Sequence, residues 1–458
     1  MMTTTERSNQ ALSRVIKYAQ HAPRYTSYPT ALKFAPVNDD ILQIANRNTT
    51  TNRVNLYVHI PFCNTLCYYC GCNKIVTRHP HKADEYLTYL DKELTAKAEL
   101  LIGKRFVSLH LGGGSPSFLS EKQHIALMDI LSKHVKFDSH AELSIELDPR
   151  NVDKGYLQNL RSLGYTRLSF GLQDTDYQVQ KMINRVQSTA HIADLMFEAR
   201  TLGFTSINLD LIYGLPSQTL DTFKTTLAAT KAMQPDRISL FSYAHLPDRF
   251  AAQRKFADET LPNASLKAQL YDYAVSTLTK VGYEMIGLDH FAKANDTLAI
   301  AKHNEKLHRN FQGYTTQADS DLIGIGVSSI STIGNAFAQN PKDLNAYYAR
   351  IDALQPAASI GLQLTRDDLI RRDVIASLMC NLKVDKRVIE ARYALIFDDY
   401  FEQALANLTH IAEDGLVILK EDEIRIPEHG RIFSRAICAR FDAYLNTEEK
   451  LGCYSKAI

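Results

Sequence analysis

Short runs rich in β-branched, aromatic and other apolar residues recur from residue 56 onward: LYVHI, VSLHL, LSIEL, RLSFG, INLDLIYG, RISLFSY and, from Tyr283, YEMIG. Helix-length segments separate most of them. Asp84 to Leu101 carries Leu87, Leu90, Leu94 and Leu101 on one face, and SEKQ at Ser120 to Gln123 is a capping box that opens the next helix. Three helices are expected to close alike, at Leu163-Gly164-Tyr165, Leu202-Gly203-Phe204 and Val281-Gly282-Tyr283, with Gly in the left-handed position before the next strand. Repeated right-handed βα units build a parallel sheet. The pattern therefore predicts an α/β fold, a full or partial parallel (β/α) barrel of six or seven strands.

The expected strand exits hold the unusual residues: HIPFC, LGGGSP, ELDPR, GLQD, DLIYGLP, SYAHLP and GLDHF. Polar groups, glycines and prolines thus gather at the C-terminal strand ends, where a barrel places its active site. After about residue 365 the pattern changes to helices (DDLIRRDVIASLM, DDYFEQALANLTHIAEDG), a hairpin (LVILKEDEIRIP) and a last helix to about Leu445. This reads as a mostly helical C-terminal domain with a β-hairpin wing. The expected division is an N-terminal segment over 1–50, the barrel over 51–300, a barrel extension over 301–364 and the C-terminal domain over 365–458.

Composition excludes several classes. The chain of 458 residues is 45% hydrophobic and 22% charged, as in an ordinary packed protein. Its 52 Lys and Arg against 51 Asp and Glu leave no overall field to draw nucleic acid or an anionic membrane surface, and the wing carries no basic stripe. The N-terminal stretch MMTTTERSNQALSRVIKYAQ includes Glu6, Arg7, Arg14 and Lys17 and lacks the apolar core of a signal peptide, so a cytoplasmic protein is expected. The uncharged run from Leu322 to Pro341 approaches spanning length, but its Ser, Thr, Asn, Gln and Gly content makes it too polar to insert. It reads as buried loop and strand. No long heptad seam is present, and a monomer is expected.

The stretch CNTLCYYCGC places Cys63, Cys67, Cys70 and Cys72 within ten residues; the others are Cys380, Cys438 and Cys453. In a reducing compartment such clustering points to metal ligands or catalytic thiols rather than disulfides. A structural zinc site usually recruits a second ligand pair from a distant turn. Three thiolates on one tight turn instead suit three irons of a [4Fe-4S] cube whose fourth iron stays open.

Cys63, Cys67 and Cys70, with the aromatic Tyr69 before the last, resemble the CxxxCxφC signature (φ aromatic) of the radical S-adenosylmethionine family. The surrounding text narrows this: RYTSYPT at Arg24 to Thr30, LYVHIPFC ending at Cys63, CGCNKIVTR from Cys70, IELDPR from Ile145, NLDLIYGLP from Asn208 and HRNFQGYTTQ from His308. Together they resemble the oxygen-independent coproporphyrinogen III oxidases.

The resemblance implies a barrel of the radical S-adenosylmethionine type and the oxidative decarboxylation of two propionates of coproporphyrinogen III to vinyl groups, giving protoporphyrinogen IX in haem biosynthesis. It implies a [4Fe-4S] cluster on Cys63, Cys67 and Cys70 with S-adenosylmethionine on the open iron, two S-adenosylmethionine molecules in all, and a 5′-deoxyadenosyl radical that takes hydrogen from the propionate β-carbon. Cys72 is the family's additional cysteine, expected to serve the chemistry. Carried over by motif, the first S-adenosylmethionine is expected at Tyr57, Tyr69, Gly113 and Glu146. The second is expected at Gly114, Ser115, Gln173, Arg185, Asp210, Ala244 and Ile330. Arg24, Lys74, Arg78, His290 and Arg309 are the candidate cations for substrate carboxylates, and RYTSYPT is expected to cover the site. An electron donor of unspecified identity is also implied. The alternative is a haem chaperone with the same fold and no decarboxylase activity. Such relatives tend to lack both the GC extension after the third cysteine and the RYTSYPT segment, which are present here. A radical enzyme with another substrate is argued against by HRNFQGYTTQ and Ile330.

Overall fold

The computed structural model describes residues 17–18 and 21–445. Six strands lie side by side in chain order and parallel: β1 (Arg53–Ile60), β2 (Arg105–Gly113), β3 (Phe137–Leu147), β4 (Arg167–Gln173), β5 (Ser206–Tyr213) and β6 (Arg237–Ser242). The intervening helices are α1 (His81–Ala96), α2 (Glu121–His134), α3 (Lys154–Ser162), α4 (Thr189–Thr201) and α5 (Leu220–Met233), with α6 (Ala264–Lys280) after β6. Leu87, Leu90 and Leu94 of α1 are buried, as the one-faced spacing requires. Ser120 and Gln123 form the capping box, and Gly164, Gly203 and Gly282 take φ of 92°, 80° and 91°.

The segment from Tyr283 departs from the βα pattern. β7 (Tyr283–Ile286) turns through residues 287–289 into β8 (His290–Lys293), and β8 pairs antiparallel with β6. So short a connection cannot make a crossover, so the pair must be antiparallel. A seventh parallel strand comes from later in the chain. After the small hairpin β9 (His308–Asn310) and β10 (Gly313–Thr315), β11 (Asp321–Ile325) runs parallel to β1 on its outer side. The run from Leu322 to Pro341 continues into β12 (Ile330–Ile333) and β13 (Ala336–Gln339), then β14 (Ile360–Gln363), all antiparallel. Among the described residues this sheet has thirteen strands, counting Ala35–Pro36 at its edge, and its two edges are not paired with each other. It is an open, partial barrel.

A buried ionic network fastens β11 and the turn after it to α1. Glu93 is paired with Lys97, which also donates to the Gly324 carbonyl at 2.8 Å. Glu93 accepts from the Gly326 N–H (2.7 Å), Asn340 (2.8 Å) and Tyr347 (2.7 Å). Tyr86 adds a second tie, donating to the His59 carbonyl at 2.7 Å and accepting from Val327 N–H at 2.9 Å.

The C-terminal domain begins with α7 (Arg366–Asn381), opened by a capping box at Thr365 and Asp368. The expected hairpin gains a third strand: β15 (Lys383–Asp385) pairs with β17 (Glu423–Arg425), which pairs with β16 (Ile418–Leu419). Around this sheet pack α8 (Lys386–Tyr393) and α9 (Glu402–Glu413). The last helix, α10 (Ser434–Cys438), ends well short of Leu445. Phe441 is buried beyond it, and Asp442 turns in to accept from the Tyr25 hydroxyl at 3.1 Å. Tyr25 and Tyr28 of the RYTSYPT segment are thus part of the C-terminal core. No helix among the described residues is long and apolar enough to cross a membrane.

Removing Glu93 would leave Lys97 buried without its counter-charge. Glu93→Ala is expected to destabilise the fold by about 3–5 kcal/mol, read as a drop in the chemical-denaturation midpoint. A loss below about 1 kcal/mol would show that the pair does not hold β11 to α1.

Candidate active site

Parallel barrels ordinarily fill their interior with branched apolar side chains. Here the outward positions of the strands are apolar and buried (Leu109 and Leu111; Leu143 and Ile145; Leu168 and Phe170; Leu209 and Leu211; Ile238 and Leu240), while the alternating inward positions are polar. Ser108 and His110, Ser144 and Glu146, Ser169, Asn208 and Asp210, and Ser239 border a cavity of about 490 Å³. Of these, Glu146 and Asp210 were singled out from the sequence, whereas the serines, His110 and Asn208 were not. Their signal is one polar residue in the middle of each apolar run, as in VSLHL, LSIEL and INLDL, at the two-residue period of a strand face.

The cysteine loop closes one end of this cavity. Phe62 and Cys63 pair with Ile75 and Val76, drawing residues 63–75 into a compact loop. Lys74 Nζ donates inward to the carbonyls of Cys70 (3.0 Å) and Cys72 (3.4 Å). The loop is held from outside by Tyr68 N–H to the Ile183 carbonyl (3.0 Å), Asn184 to the Leu66 carbonyl (2.8 Å) and Gln253 to the Tyr69 carbonyl (3.2 Å). Cys63, Cys67, Cys70 and Cys72 all face the cavity, with Tyr69 beside them. Cys72 is exposed, and it lines the cavity.

Two guanidinium groups stand against one sulfur of the loop. Cys67 Sγ accepts from Arg185 Nη1 at 3.5 Å and from Arg150 Nη2 at 3.7 Å. Both arginines also hold Asp148, Arg150 in a two-nitrogen grip at 2.9 and 2.6 Å and Arg185 at 3.3 Å. Against the penalty of burial, Arg185 and then Arg150 keep the Asp148 carboxyl below its usual range. Burial pushes the Cys63 thiol up to about 12. The hydrogen bond from the Cys72 thiol, with help from Lys74, lowers Cys70, and the same bond keeps Cys72 protonated.

No three His, Cys, Asp or Glu side chains among the described residues converge on a single-ion site. The cysteines instead ring a roomy cavity with two guanidinium groups beside one sulfur. That donor set fits a polynuclear iron–sulfur group, whose ligands must stand apart around its volume.

The strand ends add the remaining candidates. Gly113, at φ 117°, lies so near the His59 ring that a Cβ would come within 2.7 Å of it, and at Gly114 a Cβ would meet the Pro61 carbonyl at 2.4 Å. Their backbone forms the cavity wall with no side chain intervening. Ser115 bonds Ser117 at 3.0 Å, and Ser117 accepts from Asp148 N–H at 2.9 Å, tying this turn to the end of β3. Gln173 sits on the wall in the left-handed region at φ 62°, a conformation that costs about 1–3 kcal/mol in a side-chain-bearing residue and concentrates at functional sites. Asp210 accepts from Asn208 at 2.8 Å and Ser169 at 3.2 Å. Burial, and then repulsion from Glu146 across the cavity, raise its pKa.

Of the residues expected to hold S-adenosylmethionine, Tyr69, Gly113, Gly114, Ser115, Glu146, Gln173, Arg185 and Asp210 share this wall. Tyr57 stands one layer back, stacked on His110 at 6.0 Å and bonded to His59 at 3.1 Å. Ala244 and Ile330 are off the wall; the Ala244 carbonyl accepts from Gln253, the residue that also grips Tyr69, and Ile330 begins β12 behind Gly324. The candidate cations separate. Lys74 and His290 border the cavity, Arg309 lies beside His290, Arg24 donates to the Ser242 carbonyl at 2.8 Å, and Arg78 is exposed on the outer surface. No residue of 24–30 borders the cavity, and the segment is anchored through Tyr25 and Tyr28 instead.

Two family matches cover much of the chain: the radical SAM superfamily over residues 57–229 and the HemN C-terminal domain over residues 364–433. The oxygen-independent coproporphyrinogen III oxidase of Salmonella typhimurium is 47% identical over 449 residues, covering 98% of each chain. That of Pseudomonas aeruginosa is 42% identical over 436 residues, covering 94% of this chain and 95% of its own. A solved structure described as "Coproporphyrinogen III oxidase (HemN) from Escherichia coli is a Radical SAM enzyme" superposes with a TM-score of 0.91 at 48% identity, covering 94% of this chain and 99% of that one.

The thiol ordering gives a chemical test. In metal-free, native protein at neutral pH, brief alkylation should modify Cys70 before Cys63 and Cys72, because its surroundings favour thiolate while theirs favour the thiol, and should leave the buried Cys380 and Cys438 untouched. Peptide mass mapping that found Cys72 reacting first would reverse the assigned direction of the hydrogen bond between them.

Proposed function

This chain belongs to the oxygen-independent coproporphyrinogen III oxidases of the radical SAM superfamily, and from that membership and the cavity we propose how its residues divide the work. It converts coproporphyrinogen III to protoporphyrinogen IX by oxidative decarboxylation of two propionates, a step of haem biosynthesis. The observation that carries the assignment of parts is one cavity wall shared by Cys63, Cys67, Cys70, Glu146, Gln173, Arg185 and Asp210.

A [4Fe-4S] cluster and two S-adenosylmethionine molecules supply, when bound, the organic radical needed to take hydrogen from an unactivated carbon. Cys63, Cys67 and Cys70 hold the cluster. Arg150 and Arg185 balance the thiolate charge at Cys67 and are themselves kept in place by Asp148. The bare backbone of Gly113 and Gly114 lets a flat ligand approach closely, and Glu146 and Asp210 accept from an amino group or ribose hydroxyls. Gln173 offers both a donor and an acceptor, and Arg185 turns its guanidinium toward a ligand carboxylate. Tyr57, Ala244 and Ile330 act from behind the wall, by setting the positions of His110, Tyr69 and the β11–β12 turn. Cys72, a protonated thiol beside Cys70 and facing the cavity, is placed to donate a hydrogen bond to a reacting carboxylate. The polar inner belt excludes packing and keeps room for the macrocycle. A one-electron reductant from outside, and an acceptor for the electron given up as each propionate loses CO2, complete the requirement.

Anaerobic assays of reconstituted variants test this division. Ala at Cys63, Cys67 or Cys70 should abolish both iron content and protoporphyrin formation. Cys72→Ala should retain iron while turnover falls by about ten-fold or more, the scale of a lost hydrogen bond to a charged group. Full turnover by Cys72→Ala would remove that thiol from the chemistry, and full iron retention by any of the other three would remove it from the ligand set.

A further inference from the structure

The substrate class assigned above, on which this inference rests, presents four carboxylates, two removed and two retained. A cation-rich corner meets the cavity where β8, the β9–β10 hairpin and the N-terminal segment come together. Arg309 on β9 lies opposite Tyr314 on β10, its guanidinium carbon 4.5 Å from the ring centroid. The side chain is only 5% exposed, and its Nε and Nη1 have no hydrogen-bond partner among the described residues. Leaving charged donors buried and unpaired is costly, so such a group normally has a partner in the working state.

Among the described residues the carboxylate that pairs with it is Asp289, with Oδ1 at 3.6 Å from Nη1, too far for a hydrogen bond. Asp289 is already engaged by His290 Nδ1 at 2.8 Å. Against burial, Arg309 and then His290 hold the Asp289 carboxyl well below the usual range, with Arg24 adding to the field. One carboxylate therefore serves several cations. His290, Asn310 and Tyr314 border the cavity around this corner.

We propose that Arg309, with His290 beside it, seats a carboxylate of the porphyrinogen, one of the two propionates that the reaction retains. The guanidinium presents the planar fork that a carboxylate matches, and stacking on Tyr314 fixes its plane. The retained rather than a reacting propionate follows from position. The cysteine loop succeeds β1, whereas His290 lies beyond β6, with β2 to β6 between them in the sheet. Neither Arg309 nor His290 is among the groups that grip the cysteine loop, which are the Ile183 carbonyl, Asn184 and Gln253.

Fluorescence titration with coproporphyrin III and with protoporphyrin IX, whose only carboxylates in common are the two retained propionates, tests the seat. Arg309→Met should weaken both by about ten-fold or more, and His290→Ala, an independent variant if the first folds poorly, should weaken both in the same sense. KM for coproporphyrinogen should rise with kcat changed far less, while iron content and melting midpoint stay at wild-type values, which a purely structural role would not give. Weakening of coproporphyrin alone would overturn the retained-propionate assignment. Unchanged affinity for both porphyrins in either properly folded variant would overturn the seat. Wild-type protein that neither bound coproporphyrin nor formed protoporphyrin would instead overturn the functional reading, and this inference with it.

Discussion

The structure depends on keeping the middle of a parallel sheet hollow. In most barrels interlocking apolar side chains fill the interior and brace it. Here the inward side chains bond sideways instead: Ser108 to Asn55 at 2.6 Å, His110 to Ser144 at 2.8 Å, Asn208 to Ser169 at 2.8 Å and Ser239 to Asn208 at 3.2 Å. Each bond links neighbouring strands, so the polar belt stiffens the wall without occupying the space. The driving force for folding must then come from the outer face, where Leu109, Leu111, Ile145, Phe170, Leu209 and Leu211 pack beneath the helices. Opening the sheet at one side and extending it with antiparallel strands leaves room for a ligand larger than a closed barrel core admits.

A second constraint is charge. Gathering thiols at one end of an enclosed cavity is unfavourable unless cations stand close. Arg185 performs two tasks at once, bridging Asp148 and Cys67 while donating to the Gly171 carbonyl at 2.9 Å, so the cysteine loop, β3 and β4 share one guanidinium. Lys74 does comparable work inside the loop itself. The cationic candidates read from sequence therefore do different jobs: Lys74 braces backbone, Arg24 clasps a strand end, Arg78 meets solvent, and Arg309 alone among them is buried with donors unpaired among the described residues.

Most of the fold was legible, because each parallel strand carries an apolar outer face and each helix closes with recognisable chemistry, such as the capping box at Ser120 and the left-handed Gly164, Gly203 and Gly282. Legibility failed where long-range pairing overrides local pattern. YEMIG has a strand's composition, but only the length of the next turn decides that it pairs antiparallel. The run from Leu322 could be read as buried loop and strand, but its parallel place on the outer side of β1, fastened by the buried Glu93 network, could not. In the site, the cysteine motif was explicit because its spacing is local. The inner polar belt went unread since single Ser or Asn residues inside strands look like ordinary interruptions until the curvature brings them together. Arg309 could be nominated from its motif, but its lack of partners is a three-dimensional fact.

The union of the RYTSYPT segment with the C-terminal core carries a consequence for biogenesis. Tyr25 bonds Asp442 across 417 positions, and Tyr28 accepts from the Ala443 N–H across 415. During synthesis the βα units can form one after another as they emerge, but these two tyrosines must wait, solvated and apolar, until nearly all the intervening chain has been made. The barrel is thus built early, and the clasp between the two ends closes last. A polypeptide interrupted before residue 442 therefore lacks both of these bonds, and its two tyrosines keep only as much of the C-terminal core as has been made.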